Sequence, residues 1–126
     1  MMDRRQITGR IGEDAVASYL ISNGHTILER NWRGGHLEVD IISLDKNGLH
    51  FVEIKTRAGD FTEAPEEKVG RVKQQRIIAA ANRYLNKIKT TMMEAQEIFF
   101  DVAAVTISSE GTVVKYFPEA YIPMTY

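Results

Sequence analysis

The spacing of hydrophobic and polar positions changes several times along the chain, and each change marks an element. Ile7 to Gly24 reads as a helix, with Thr8 as N-cap, Glu13 and Asp14 in the early turns, and Gly24 just past its end. Thr26 to Trp32 reads as a first strand and "RGGH" as a turn. Leu37 to Leu44 follows as a second strand, "DKNG" as a hairpin turn and Leu49 to Arg57 as a third strand. After the loop "AGDFTEAP", a second long helix is predicted from Glu66 to Lys89. Pro65 and the two glutamates favour its start, and Gly70 weakens its first turns. Ile98 to Ile107 is a strongly β fourth strand, Thr112 to Phe117 a fifth after the "SSEG" turn, and "PEAYIPMTY" an irregular tail. The order αβββαβ(β), without repeats or linkers, predicts a single α/β domain over residues 1–126, a mixed central sheet flanked by helices.

Charges interrupt this pattern where a strand pair should be most apolar. Side chains alternate across a strand. Leu37, Val39 and Ile41 should therefore share one face of the second strand, and Glu38, Asp40 and Ile42 the other. On the third strand Leu49, Phe51, Glu53, Lys55 and Arg57 oppose His50, Val52, Ile54 and Thr56, so Glu53 and Lys55 continue a row that begins in the core. Asp40, on the paired hairpin strand, can face the same side. A Glu-x-Lys pair on a solvated sheet face would be worth under about 1 kcal/mol, and the short pattern alone carries little. Here it is flanked by bulky residues, with a second acid on the adjoining strand.

The helices add two more charges. At about 100° per residue, Glu13 projects within about 20° of Leu20, toward the apolar arc, whereas Asp14 points away. A carboxylate on a buried face is paired, hydrogen-bonded or bound to a metal, so Glu13 is either an ion pair at the core's edge or a ligand. Lys73 projects between Val69 and Ile77, as a snorkelling lysine would.

Composition narrows the chemistry. The formal net charge is −1, so nucleic-acid binding must rest on a local patch. The absence of cysteine excludes zinc–thiolate sites, thiol nucleophiles and disulfides. A zinc site would have to use His25, His36 and His50, which lack ligand spacing and are expected in turns or on the surface. The opening "MMDRRQITGR" is polar, and no stretch approaches the ~20 apolar residues of a membrane span, so a soluble cytoplasmic protein is expected.

Three carboxylates beside an ammonium suit a hard divalent cation, Mg²⁺ or Mn²⁺, acting on a phosphodiester. A basic ridge could hold that substrate. Lys68, Arg71, Lys73, Arg76, Arg83, Lys87 and Lys89 occur without one acidic residue among them. Arg76, Arg83 and Lys87 project within about 40° of one another, a spacing that fits phosphates or an ordinary solvated face. Arg4, Arg5, Arg10 and Arg33 could extend it, while Trp32 suits the core better than a stacking role.

Taken together, "GRIGEDAVASYL", "ILERNWR", "EVDII", "FVEIKTR" and "VGRVKQQRIIAAANRYL" resemble the YraN-like bacterial proteins, over roughly residues 7 to 105. Those proteins share a restriction-endonuclease-like fold with archaeal Holliday-junction resolvases. The resemblance implies a metal-dependent endonuclease acting on branched or structured DNA. Asp40 and Glu53 match its metal-binding acids, Lys55 its catalytic lysine, and Glu13 a further ligand of the resolvase branch. Leu37 departs from the pattern, standing where relatives often carry glycine. Arg57, Lys73, Arg76, Arg83, Lys87 and Arg33 are the expected nucleic-acid contacts, and a homodimer or a partner protein is compatible with this reading. The alternatives are a nucleic-acid-binding module on the same fold, silent or in need of a partner subunit, and a structural protein whose charges are ordinary ion pairs.

Overall fold

A computed structural model describes residues 1–88 and 97–122. Its elements are α1 (Arg4–Ser22), β1 (Thr26–Gly34), β2 (Leu37–Leu44), β3 (Leu49–Ala58), α2 (Arg71–Ile88), β4 (Ile98–Ser108) and β5 (Gly111–Phe117). The five strands lie in the order β1-β2-β3-β4-β5, with β3 and β4 parallel and every other neighbouring pair antiparallel. This is the expected mixed α/β architecture, compatible with a restriction-endonuclease-like αβββαβ core. Lys89, the expected end of the second helix, and residues 123–126 of the tail lie outside the described residues. No described helix is long and apolar enough to cross a membrane.

Each helix covers one face of the sheet. α2 places Ile77, Ala80, Ala81 and Tyr84 on Trp32, Val39, Ile42, Leu49, Phe51, Phe100 and Val102. Trp32 is thus core, its ring edge-on to Tyr84 at 5.4 Å. α1 places Val16, Ala17 and Leu20 on Ile41, Val52, Ala103 and Val105.

The starts of the two helices differ from the sequence reading, each for a local reason. α1 starts a turn earlier than expected, because Asp3 rather than Thr8 caps it. The Asp3 carboxylate accepts from the Gln6 N–H, and the Gln6 side chain accepts from the Asp3 N–H, both at 2.9 Å. At the other end Gly24, at φ +88°, lets the His25 N–H reach the Leu20 carbonyl at 2.9 Å and the Gly24 N–H reach Ile21 at 3.1 Å. That pair of hydrogen bonds turns the chain straight into β1. α2 begins at Arg71, not Glu66, since Val69 is drawn into the core and the Gly70 carbonyl takes the first helical bond from the Gln74 N–H.

Gly12 marks the closest approach of α1 to β3. A methyl group there would collide with Thr56 Oγ1 and lie 3.0 Å from Thr56 Cγ2. Gly12→Ala should therefore destabilise the protein by about 1–2 kcal/mol, overpacking outweighing the ~1 kcal/mol gain in helix propensity. Urea unfolding of the two proteins checks this; equal midpoints would mean that the helix can shift at no cost.

Candidate functional site

β2 and β3 pair from Leu44↔Leu49 as far as Ile41↔Val52, and there the register ends. Beyond it, the Asp40 carboxylate takes over the ladder, accepting from the Ile54 N–H at 2.8 Å. The strict alternation expected of β2 fails at this point. Val39 and Ile42 both pack under α2, whereas Ile41 packs under α1. β1 makes the matching irregularity: Asn31, between the pairs Arg30↔Ile41 and Trp32↔Val39, has φ +53°. Arg30 and Asn31 consequently both reach α1, and Trp32 turns to the other side. The pairing gains no residue here, so the irregularity is a local turn of the two backbones rather than a bulge. It sets Asp40 into the seam between the strands rather than on one face.

Glu53 lies on the α2 side, its carboxylate 3.6 Å from the Lys73 ammonium, with its side chain only 16% exposed. The Asp40 carboxylate bonds the peptide N–H that follows Glu53, which brings the two acids close enough for the charge of Asp40 to act on Glu53. Burial pushes the Glu53 carboxyl up to about 7, the Asp40 charge adds to the rise, and Lys73 opposes it. The Asp40 carboxyl is also raised, chiefly by burial, against the bond from Ile54 and the charge of Lys73. Tyr121, stacked on Phe100 at 5.4 Å, brings a buried hydroxyl that meets no partner among the described residues, its pKa raised by burial and then by Glu53.

The other expected site residues are not all gathered. Glu13 faces the same cleft as Asp40, but its oxygens accept from Arg30 Nε at 2.7 Å and from Asn31 Nδ2 at 2.9 Å. It is an ion pair at the core's edge. Lys55, two residues beyond Glu53 on the same face, donates its ammonium to the Lys68 carbonyl. The cation that acts on both acids is Lys73.

Two clefts flank the end of β3 and share Thr56. One, of about 800 Å³, holds Asp40 and Glu13 with Arg10, Arg30 and Arg33; the other, of about 480 Å³, holds Lys55, Arg57 and Lys68. Arg57 donates to Thr106 Oγ1 at 3.0 Å and to the Glu63 carbonyl at 2.9 Å, and stacks over Phe61. Arg33 pairs loosely with Glu38 at 3.5 Å. Arg76, Arg83 and Lys87 are exposed along α2, with Arg83 lying against Gly34 and Gly35.

Sequence reasoning passed over a second polar cluster. His25 and His50, expected in turns or on the surface, lie at the other end of the sheet with ring centroids 4.6 Å apart, and His50 is 7% exposed. His50 bonds Asp101 through Nδ1 at 2.6 Å and Asp45 through Nε2 at 2.8 Å. Burial works against charge on His50, but these two carboxylates outweigh it and raise its pKa. The legible signal was Asp101, an acid inside the apolar run "IFFDVAAVTI" that has to find a partner when buried.

The family described as uncharacterised protein family UPF0102 matches residues 12–105, a span that includes both acids, Lys55 and all of α2. A UPF0102 protein of Syntrophotalea carbinolica is 40% identical over 121 residues, covering 96% of each chain. One from Parabacteroides distasonis is 32% identical over 120 residues, 95% of this chain and 96% of that one. A third, from Oleidesulfovibrio alaskensis, is 42% identical over 103 residues, 82% of this chain but 50% of its own length, so this chain spans half of that relative.

Proposed function

The chain belongs to the uncharacterised protein family UPF0102, and from the placing of its two acids we propose that it is a metal-dependent endonuclease hydrolysing phosphodiester bonds in branched or structured DNA. The observation that carries this reading is the seam itself. Two largely buried carboxylates are brought close by the Asp40–Ile54 bond, and both are pushed toward the neutral form. Burying like charges together is costly without a cation to offset them.

The donor set fits that cation. Asp40 and Glu53 offer carboxylate oxygens only, the chemistry that Mg²⁺ or Mn²⁺ takes with one or two protein ligands. When bound, such an ion supplies charge neutralisation at the phosphate and a more acidic water. The chain's own residues do the rest. The arginines of the Asp40 cleft and the basic residues of its neighbour offer phosphate contacts on both sides of Thr56. Lys55, on the same face as Glu53, meets negative charge that develops on the phosphate once its ammonium leaves the Lys68 carbonyl. Lys73 offsets the acids before substrate arrives.

Two contacts favour a binding module that needs a partner subunit: Lys55 is engaged by Lys68, and Glu13 is paired with Arg30. The deciding experiment incubates the purified protein with branched, flapped and linear DNAs in Mg²⁺ or Mn²⁺, with chelator as control. Cleavage that disappears with the chelator is expected. DNA binding without cleavage of any substrate would favour the module, and neither activity would leave a structural role.

A further inference from the structure

We propose that His25, Asp45 and His50 form a second cation site, independent of the acid pair, that takes a borderline transition metal of the Zn²⁺ or Co²⁺ class. One ligand atom from each of the three lies within 4.8 Å of the other two. His25 Nε2 is 3.4 Å from Asp45 Oδ2, and His50 Nε2 is 2.8 Å from Asp45 Oδ1. In a tetrahedral zinc site, with bonds of about 2.0–2.1 Å, neighbouring ligand atoms stand about 3.3 Å apart. The three side chains need only small adjustments to surround an ion.

The outer contacts are those that a metal site requires. A ligating histidine fixes its ring by bonding the other nitrogen to a carboxylate or similar group. His50 Nδ1 is held by Asp101 Oδ2 at 2.6 Å, and His25 Nδ1 by Ser43 Oγ at 2.8 Å, so both Nε2 atoms are left facing Asp45. Asp101 is itself fixed by the Tyr116 hydroxyl and by the Glu119 N–H at 2.9 Å, and Asp45 by the N–H groups of Asn47 and Gly48 at 2.9 and 3.2 Å. An ion here takes the place of the proton that His50 Nε2 shares with Asp45, and that proton passes to solvent.

The metal class and the role follow from the surroundings. Two imidazoles and one carboxylate suit zinc, cobalt, nickel or copper, whereas magnesium prefers oxygen alone. The side chains of His25, Asp45 and His50 are 8%, 12% and 9% exposed, too enclosed for a polymeric substrate. The site is therefore structural. It ties the start of β1, delivered by the turn at Gly24, to the hairpin between β2 and β3.

Titration of the metal-free protein with Co²⁺, followed by visible absorption, tests this. A tetrahedral nitrogen–oxygen site absorbs far more strongly than an octahedral all-oxygen one. One equivalent should produce the intense spectrum, Zn²⁺ should erase it and raise the melting temperature, and Mg²⁺ should do neither. The spectrum should persist in Asp40→Asn, and Co²⁺ affinity should fall about tenfold or more in His25→Asn. Asp45→Asn is the second variant, since the amide oxygen still accepts from Asn47 and Gly48 while the anionic ligand is lost; it should weaken binding likewise. Absence of the spectrum in the parent, parent-like binding by both variants, or loss of the spectrum in Asp40→Asn would each overturn the proposal. The first of these would leave the cluster as a protonated histidine between two carboxylates.

Discussion

Asp40→Asn is expected to reduce metal-dependent cleavage about a thousandfold or more, while the metal-free variant melts no lower than the parent. The two halves of this result have different causes. The amide oxygen of asparagine can still accept from the Ile54 N–H, so the seam between β2 and β3 keeps its geometry. What disappears is one anionic ligand, and with it the charge that a hard cation needs and that Glu53 resists. Relief of that repulsion should stabilise the metal-free fold by about 1 kcal/mol. Lys55→Ala is the contrast. It should also lose cleavage, yet bind metal and DNA much as the parent does, because Lys55 meets charge that grows only in the transition state. The measurements are single-turnover cleavage in Mn²⁺ and thermal melts with and without metal. An Asp40→Asn variant that cleaves within tenfold of the parent would place the chemistry elsewhere. Should Lys55→Ala also cleave as fast as the parent, with Lys73→Ala silent, the acting cation would be Lys73, the one already beside Glu53.

The sheet and both helices were legible because burial imposes its period on the sequence wherever an element is regular. Leu49, Phe51 and Glu53 fell on the α2 side of β3 as alternation requires, and Leu37 to Leu44 was bounded to the residue. The reading failed where the strands cease to be regular, and that is where Asp40 sits. Alternation assigned Ile41 to the face of Val39, but the paired irregularity at Asn31 and Asp40 exchanges the faces. Nothing in "NWR" or "VDI" announces a positive φ at an asparagine. The histidine–aspartate cluster escaped for another reason. Its members come from the start of β1, the end of β2, β3 and β4, and only the register His50↔Phe99 brings the Asp101 strand alongside. No spacing along the chain encodes that. Glu13 marks a middle case: its inward direction was legible, but its partner Arg30 comes from another element.

Stability of the metal-free protein should fall as pH rises from about 4.5 to about 7, and Glu53→Gln should remove that part of the slope. The Glu53 carboxyl titrates near 7 in the folded chain against an ordinary 4.5, raised first by burial and then by Asp40. Between those two values the folded state holds a proton that the unfolded chain has released, so raising the pH favours unfolding. The loss is complete above about 7 and amounts to about 2 kcal/mol, below the full linkage value because the side chain keeps some contact with solvent. His50 adds a loss of the same sign in a different window. Burial opposes its charge, but Asp101 and Asp45 raise its pKa, so its contribution is present below 6.5 and lost as pH rises through the folded value. That contribution is common to parent and Glu53→Gln, so the difference between their two profiles reports the Glu53–Asp40 pair. Urea unfolding at intervals from pH 4.5 to 8.5, in chelator, measures it, and parallel profiles would show that Glu53 is not held in a repulsive pair. In Mg²⁺ at pH 8 the cation should restore most of the lost stability to the parent and little to Glu53→Gln, since only the parent has two anionic ligands to offer.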